Sequence, residues 1–431
     1  MYANSDLLLS NSSQPHFTMS NALTPALADT PIDAAATSVR SDYTVRTLRS
    51  AEEVEALRSA WTRWQTHPNS DLDHFLRVCQ VRENVQRPHV IVVQNGDGPC
   101  AILAGRIEDG RIPPGFGYFT LFGFRVTRLA VIYQGLLGHV DETVASALVD
   151  ALRATLDAGE ADIVELQHLS EDSPLLRQAL RGCGYLWRDG KPSWSTHWEL
   201  ALPRQPGGLL QGMKSKHRQW IRRKARELDE AFGARIGYRA FTPKDDEAAL
   251  CAELETVARL TYQRGLGEGF KDDLEHRQRF VLFNQRSLLR AWTLRIDGAA
   301  RAFCLGFVYG NTFYFSETGY DPRLRSHEVG TILFLHMADE LIEEGIKKFN
   351  FGFGDAYYKQ RFGDRNWREG TLKLYAHTPK AFTARVCIGF CNRATAVARM
   401  AAKRLGVLDK IKTGWRKRLS SGGKEMLEDG R

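Results

Sequence analysis

Residues Phe313 to Gly363 read FYFSETGYDPRLRSHEVGTILFLHMADELIEEGIKKFNFGFGDAYYKQRFG. The stretch from Phe313 to Tyr320 alternates in character and predicts a strand. Ile332, Leu333, Met337 and Leu341 recur at helical spacing and predict a helix over 329–344. Lys347 to Phe353 predicts a second strand, with glycines crowding its end. A basic turn containing Gly330 joins the first strand to the helix. Strand, helix, strand is the local grammar of an α/β unit.

Upstream, the order extends. A helix is expected from Asp246 to Arg264 and another from Leu274 to Phe283. Strands follow at 291–296 and 302–309, joined by the Asp297-Gly298 turn. The first half shows a similar order. Ser50 and Glu53 make a capping box ahead of a helix over 51–65. A hairpin turns at Asn95-Gly-Asp-Gly98, and Leu129 to Tyr133 is a strand candidate. A helix follows over 141–158, then a strand over 161–166, and an edge or bridging strand over 193–200. The segment Ala201 to Gly208, ALPRQPGG, reads as a connection between the halves. These patterns predict an α/β (α+β) fold with two copies of one unit and mixed sheets flanked by helices. The expected divisions are a disordered segment over 1–40, one unit over 41–205, a second over 206–379 and a basic helical tail over 380–431.

The chain has 431 residues, 43% of them hydrophobic and 26% charged, which is globular composition. Its net charge of +8 is unevenly placed. Residues 380–431 hold 13 Lys and Arg against 4 Asp and Glu, so the remainder nets about −1. Seven scattered Cys form no CxxC pair and no metal-ligand spacing, which fits reduced thiols in the cytoplasm and argues against a zinc site. No signal peptide and no membrane span is expected.

Candidate functional residues cluster in the opening stretch. Arg323, Arg325, Gly330 and Thr331 lie where a helix start would offer free amides to a phosphate. Glu317, a carboxylate amid aromatics, is a candidate general base for an amine. Gly352 and Gly354 permit close approach at a strand end. Asp355, Tyr357, Tyr358 and Lys359 then supply an acceptor, two phenols and a cation. A tyrosine there is placed to protonate a leaving thiolate. Each group also has a plain structural reading, as a solvated loop, a salt-bridged Glu and a turn with aromatic packing. The helix beginning at Leu209 carries seven Lys and Arg between Lys214 and Arg226, suited to phosphates, a polyanionic glycan or tRNA, or to a solvated face.

The motif string Tyr320-Asp321, Gly330, Gly345, Phe351-Gly-Phe-Gly-Asp355 and Tyr358-Lys359 resembles the GNAT-like acyltransferases of the CelD/BcsL type, which are associated with cellulose and other exopolysaccharide synthesis. Arg218, Arg222 and Arg223 add to the likeness. It covers 209–375 well and 43–200 loosely. The turn from Arg325 to Gly330 is a degenerate form of the family's pyrophosphate turn. The resemblance implies tandem GNAT-like acyltransferase domains, acetyl-CoA or another acyl-CoA as co-substrate, no metal, and a small-molecule or glycan acceptor.

Two other readings stay open. The same architecture serves Fem-like transferases that take an aminoacyl group from tRNA, the one nucleic-acid partner the sequence suggests. A non-catalytic accessory of a polysaccharide synthase would use the basic tail against an anionic membrane surface or the synthase complex.

Overall fold

A computed structural model describes residues 43–112, 115–116, 119–120, 123–265, 269–354 and 356–404. The expected N-terminal disordered segment, the last part of the basic tail and Asp355 lie outside the described residues.

Among the described residues fourteen strands are present: β1 Thr44–Leu48, β2 Val85–Asn95, β3 Gly98–Ile112, β4 Gly115–Phe116, β5 Phe119–Thr120, β6 Phe124–Gly138, β7 Ile163–Ser170, β8 Ser193–Ala201, β9 Ile236–Ala240, β10 Leu289–Ile296, β11 Ala299–Tyr309, β12 Thr312–Tyr320, β13 Lys348–Phe353 and β14 Arg365–Tyr375. Twelve of them form one mixed sheet in the order β1-β2-β3-β6-β7-β14-β8-β13-β12-β11-β10-β9, and β4 and β5 pair separately. Among the described strands only β6–β7 and β12–β13 pair in parallel.

The order encodes an exchange. In the first half a parallel pair, β6 and β7, would be followed by β8, but β8 pairs with β13 and β14. The last strand of the second half, β14, returns to pair with β7 of the first. Each half therefore completes the other's sheet, and β8 and β14 lie side by side at the centre. The two halves are thus built into one mixed sheet flanked by helices.

Helices cover both faces, and alternation along the strands assigns each core. Ile91 and Val93 of β2 pack beneath helices Glu142–Asp157 and Pro174–Gly182. Val90 and Val92 pack with Trp61 and Phe75 of helices Arg58–Trp64 and Leu72–Val81. In β11, Ala302 and Cys304 join helix Val329–Glu343, whereas Phe303, Leu305 and Phe307 join helices Glu247–Ala258 and Leu274–Gln285. This period-2 division is what a sheet buried on both sides requires. Across the second face the halves are tied by ion pairs, Arg286 to Asp71 at 2.7 Å and Arg82 to Glu275 at 2.5 Å.

Several expected elements differ. The helix expected from Leu209 breaks into Gly208–Gly212 and Ser215–Phe232, because Met213 is extended and Arg218 Nη1 donates to the Gln211 and Met213 carbonyls at the break. The helix over 51–65 breaks at Ala56-Leu57, although Ser50 and Glu53 form the expected reciprocal cap. The helix expected over 246–264 ends at Ala258, with Tyr262–Gly265 a separate turn. The turn ahead of helix Val329–Glu343 is a 3-10 helix, Pro322–His327. All seven cysteines are free.

Candidate active site

The parallel ladder between β12 and β13 has three rungs, Thr312–Lys348, Phe313–Phe349 and Tyr314–Asn350. Beyond them the strands part, and both are irregular at that point. β12 bulges opposite Gly306, and β13 bulges between Asn350 and Gly352. Gly306 is dictated by proximity: a Cβ there would sit 2.4 Å from the Tyr314 carbonyl oxygen. Gly352 (φ +70°) and Gly354 (φ +107°) hold β13 in a conformation that L side chains rarely adopt. Past the last rung no ladder pair joins β12 to β13 among the described residues. Backbone amides and carbonyls that face such a gap need partners, and a ligand with amides of its own suits them. The Tyr358 ring sits at this splay, 6.3 Å from Phe315 and 6.1 Å from Phe351.

At the mouth of the splay is helix Val329–Glu343. Its N-cap, Glu328, is left-handed (φ 55°). The amides of Thr331 and Ile332 bond back to the Glu328 carbonyl, whereas those of Val329 and Gly330 have no backbone partner among the described residues. Thr331 donates its hydroxyl to Glu328 Oε2 at 2.8 Å. Arg361 closes the other side from the short helix Tyr357–Phe362. Its side chain is 7% exposed, yet Nε and Nη2 have no hydrogen-bond partner, and Glu328 lies 3.9 Å from Nη1. Its guanidinium lies over the Trp220 ring, 4.7 Å from the centroid. Burial lowers its pKa against the pull of Glu328. A desolvated guanidinium with open N–H groups beside a helix N-terminus is an arrangement for an anion.

The other expected phosphate contacts are differently placed. Arg323 is committed to Asp321 (2.6 Å), a buried carboxylate that also pairs with Arg301. Arg325 is exposed and makes no ion pair among the described residues. Of the basic helix, Lys214, Lys216, Arg222 and Arg226 are exposed and form no ion pair among the described residues.

Glu317 lies further along β12. His276 Nε2 donates to its Oε1 at 3.3 Å, and its buried Oε2 has no partner. Burial disfavours the His276 charge, but bonds to Asp273 and Glu317 outweigh it and raise its pKa to about 10. Tyr357 is 77% exposed, whereas Tyr358 is packed. Lys359 is buried and donates to the Phe353 carbonyl, pinning the end of β13. The structure therefore brings Tyr358, Lys359, Gly352 and Gly354 together at the splay.

A second set of polar residues lies at the sheet centre. His197 of β8 stacks on Trp367 of β14, with ring centroids 4.3 Å apart. Asn350 Oδ1 accepts from His197 Nε2 (2.9 Å) and from the Gly352 amide (2.8 Å). The Tyr133 hydroxyl of β6 is 3.1 Å from His197 Nδ1 and 3.5 Å from Glu369 Oε1. Glu369 is 3% exposed, and its Oε2 has no partner. His168 stacks on Phe353 at 3.8 Å, and His67 meets Tyr314 and Tyr133 edge-on. Burial lowers His67 to about 3 and His168 to about 4, and raises the Tyr133 pKa, which nearby Glu369 raises further. None of these residues was singled out from sequence. They come from β6, β7, β8, β12, β13, β14 and the segment at His67, and the exchange of β8 and β14 helps to gather them. Arg361 lies inside the opening stretch, two residues beyond the motif string, and its meaning depends on the distant Trp220. Among the described residues no cluster of three His, Cys, Asp or Glu side chains is placed to hold a metal.

Residues 215–360 match the family described as the acetyltransferase (GNAT) domain. No curated protein matches the chain. Among solved structures, FemX aligns with a TM-score of 0.50 and 11% identity, covering 77% of this chain and 97% of its own. A tandem GNAT protein from the clavulanic acid biosynthesis pathway aligns with a TM-score of 0.48 and 13% identity, covering 78% of this chain and 99% of its own. Residues 215–360 are thus similar to the acetyltransferase (GNAT) domain, inside a molecule that shares the fold of FemX.

Proposed function

We propose that the protein is an acyltransferase that takes an acyl group, acetyl in the simplest case, from a CoA thioester. The supporting observation is Arg361, buried at the mouth of the β12–β13 splay with two unpaired N–H groups. The open amides of Val329 and Gly330 and the exposed Arg325 add to the anion site. The amide-bearing arm of the donor would lie between the diverging strands, satisfying backbone groups that no strand pairs. The thioester supplies the activated acyl group.

The acceptor, an amine or hydroxyl compound, would meet it on the face that carries Tyr314, Asn350, His197 and Glu369. Glu317 is the proposed base, through its unpartnered Oε2, and Tyr358 is favoured over Tyr357 as the acid because it is packed at the splay. Asp355 keeps the acceptor role inferred from the motif. Lys359 orders the end of β13. A glycan or envelope-polysaccharide acceptor, and membership of the CelD/BcsL type, follow from the motif string. Calorimetry with CoA and acetyl-CoA tests the donor. Saturable binding that weakens in Arg361→Met supports this reading, and no binding of either compound defeats it.

A second reading takes the donor to be an aminoacyl-tRNA, as in Fem-like enzymes. It is favoured by Lys214, Lys216, Arg222 and Arg226, which extend the positive surface along the helix that supplies Trp220. Binding of tRNA that falls steeply with salt, without CoA binding, would select it.

A further inference from the structure

Helix Pro379–Arg404 has two apolar faces. Ala381, Ala384, Ile388, Cys391 and Thr395 are buried against the body of the protein. Phe382, Val386, Phe390, Val397 and Met400 are exposed, Phe390 by 69% and Val397 by 60%. At about 100° per residue each set spans an arc of roughly 80°, and the two arcs lie on opposite sides of the helix. A surface helix needs one apolar stripe to dock on its own core, and this helix carries a second one turned to solvent. Exposed apolar residues are ordinary when scattered, but five in one stripe on one helix are not.

The charge around the stripe identifies what covers it. The helix contains six Lys and Arg and no Asp or Glu. Arg393 and Arg404 are exposed and fall within the arc of the apolar stripe. Arg385 is used internally, donating to the Arg188 and Tyr185 carbonyls, which anchors the helix to the first half. The sequence that follows adds Lys410, Lys412, Arg416, Lys417 and Arg418, with Trp415 among them. A second copy is a poor occupant: a two-fold interface would set this patch against itself, cation against cation. An anionic lipid surface matches both features. Apolar side chains enter the acyl boundary while long basic side chains reach the headgroups. Among the described residues no helix is long and apolar enough to cross a membrane, so the geometry is that of a helix lying flat.

We propose that the outward face of helix Pro379–Arg404 seats the protein on anionic bilayers. The test is co-sedimentation of the full-length chain with phosphatidylcholine vesicles, with and without phosphatidylglycerol. The comparison is the triple variant Phe390→Ser, Val397→Ser, Met400→Ser, which leaves every charge in place. Wild type is expected to bind only the phosphatidylglycerol vesicles, and the variant to bind them about tenfold or more weakly. Unchanged thermal unfolding will show that the exposed substitutions leave the fold intact. The proposal is overturned if wild type ignores anionic vesicles. It is equally overturned if the variant binds as well as wild type, which would assign binding to the tail charge alone. Light scattering that shows a wild-type dimer dissociated by the triple substitution without lipid would assign the face to a second copy instead.

Discussion

Tyr314 of β12 stands opposite Asn350 of β13 on the last rung of their parallel ladder, and both point toward the polar cluster at the sheet centre. Tyr314 donates to the Thr66 carbonyl at 3.0 Å, and Asn350 accepts from His197 and from the Gly352 amide. The rung thus marks both where the strands begin to part and where the halves meet. Replacing Asn350 by Leu leaves two donors without their acceptor in a buried place. A loss of about 2–4 kcal/mol of unfolding free energy is expected, read by urea titration. Tyr314→Phe removes one bond at the edge of the cluster and should cost about 1 kcal/mol. Equal costs for the two would show that the Asn350 contacts are not what orders the rung.

Arg361 and Arg323 separate binding from folding. Arg361 is buried without full pairing, so its charge is a cost in the unliganded protein. Arg361→Met should leave stability nearly unchanged or slightly raised, and weaken donor binding by about tenfold or more. Arg361→Lys should restore little, since an ammonium offers neither the fork nor the stack on Trp220. Arg323 points the other way. Its partner Asp321 is buried, so Arg323→Ala should lower stability with a smaller effect on donor binding. The measurement is calorimetric affinity beside thermal unfolding. A reversed pattern would move the anion site to Arg323.

Histidines give the stability a pH dependence with two arms. The folded pKa of His276 is raised from 6.5 to about 10 by Asp273 and Glu317, against its burial. Its contribution is therefore complete below about pH 6.5 and is lost as pH rises through about 10. His67 and His168 are lowered by burial to about 3 and about 4. Their contribution is present above 6.5 and is lost as pH falls toward those values. Unfolding free energy measured across pH should decline on both sides of neutrality. In His276→Gln the alkaline decline should shrink while the acid decline stays. An alkaline arm unchanged in that variant would place its origin elsewhere.

Much of the fold was legible because it is local. The turns at Asn95–Gly98 and Asp297-Gly298 impose left-handed glycines, φ +114° at Gly98 and +76° at Gly298, and the hairpins follow. The helices 142–157 and 329–343 announce themselves by period. β14 did not, because Arg365-Asn-Trp-Arg-Glu-Gly-Thr looks like a solvated loop. It is a strand because β7 and β8 both supply ladders to it. The candidate site divides in the same way. The glycines and Tyr358-Lys359 were visible as a dense motif. Tyr133, His168, His197, Asn350 and Glu369 come from five strands, and no spacing along the chain connects them.

The exchange of β8 and β14 makes a final prediction about folding. In a fragment of residues 43–205, β8 has no neighbour, because both its partners, β13 and β14, belong to the other half. β7 likewise loses β14, leaving the buried residues of its ladder open to water. A fragment of residues 206–404 has the matching defect: β14 loses both β7 and β8, and β13 loses β8. The cost is a set of unpaired backbone groups and exposed core, and open edges of that kind favour aggregation. Neither fragment is expected to fold alone, and the two produced together should associate and regain protection of the β8 and β14 amides from hydrogen exchange. The intact chain should unfold in one cooperative transition. If either fragment alone gives a sharp thermal transition with native-like exchange protection, the central strands are not the joint structural element that the sheet order implies.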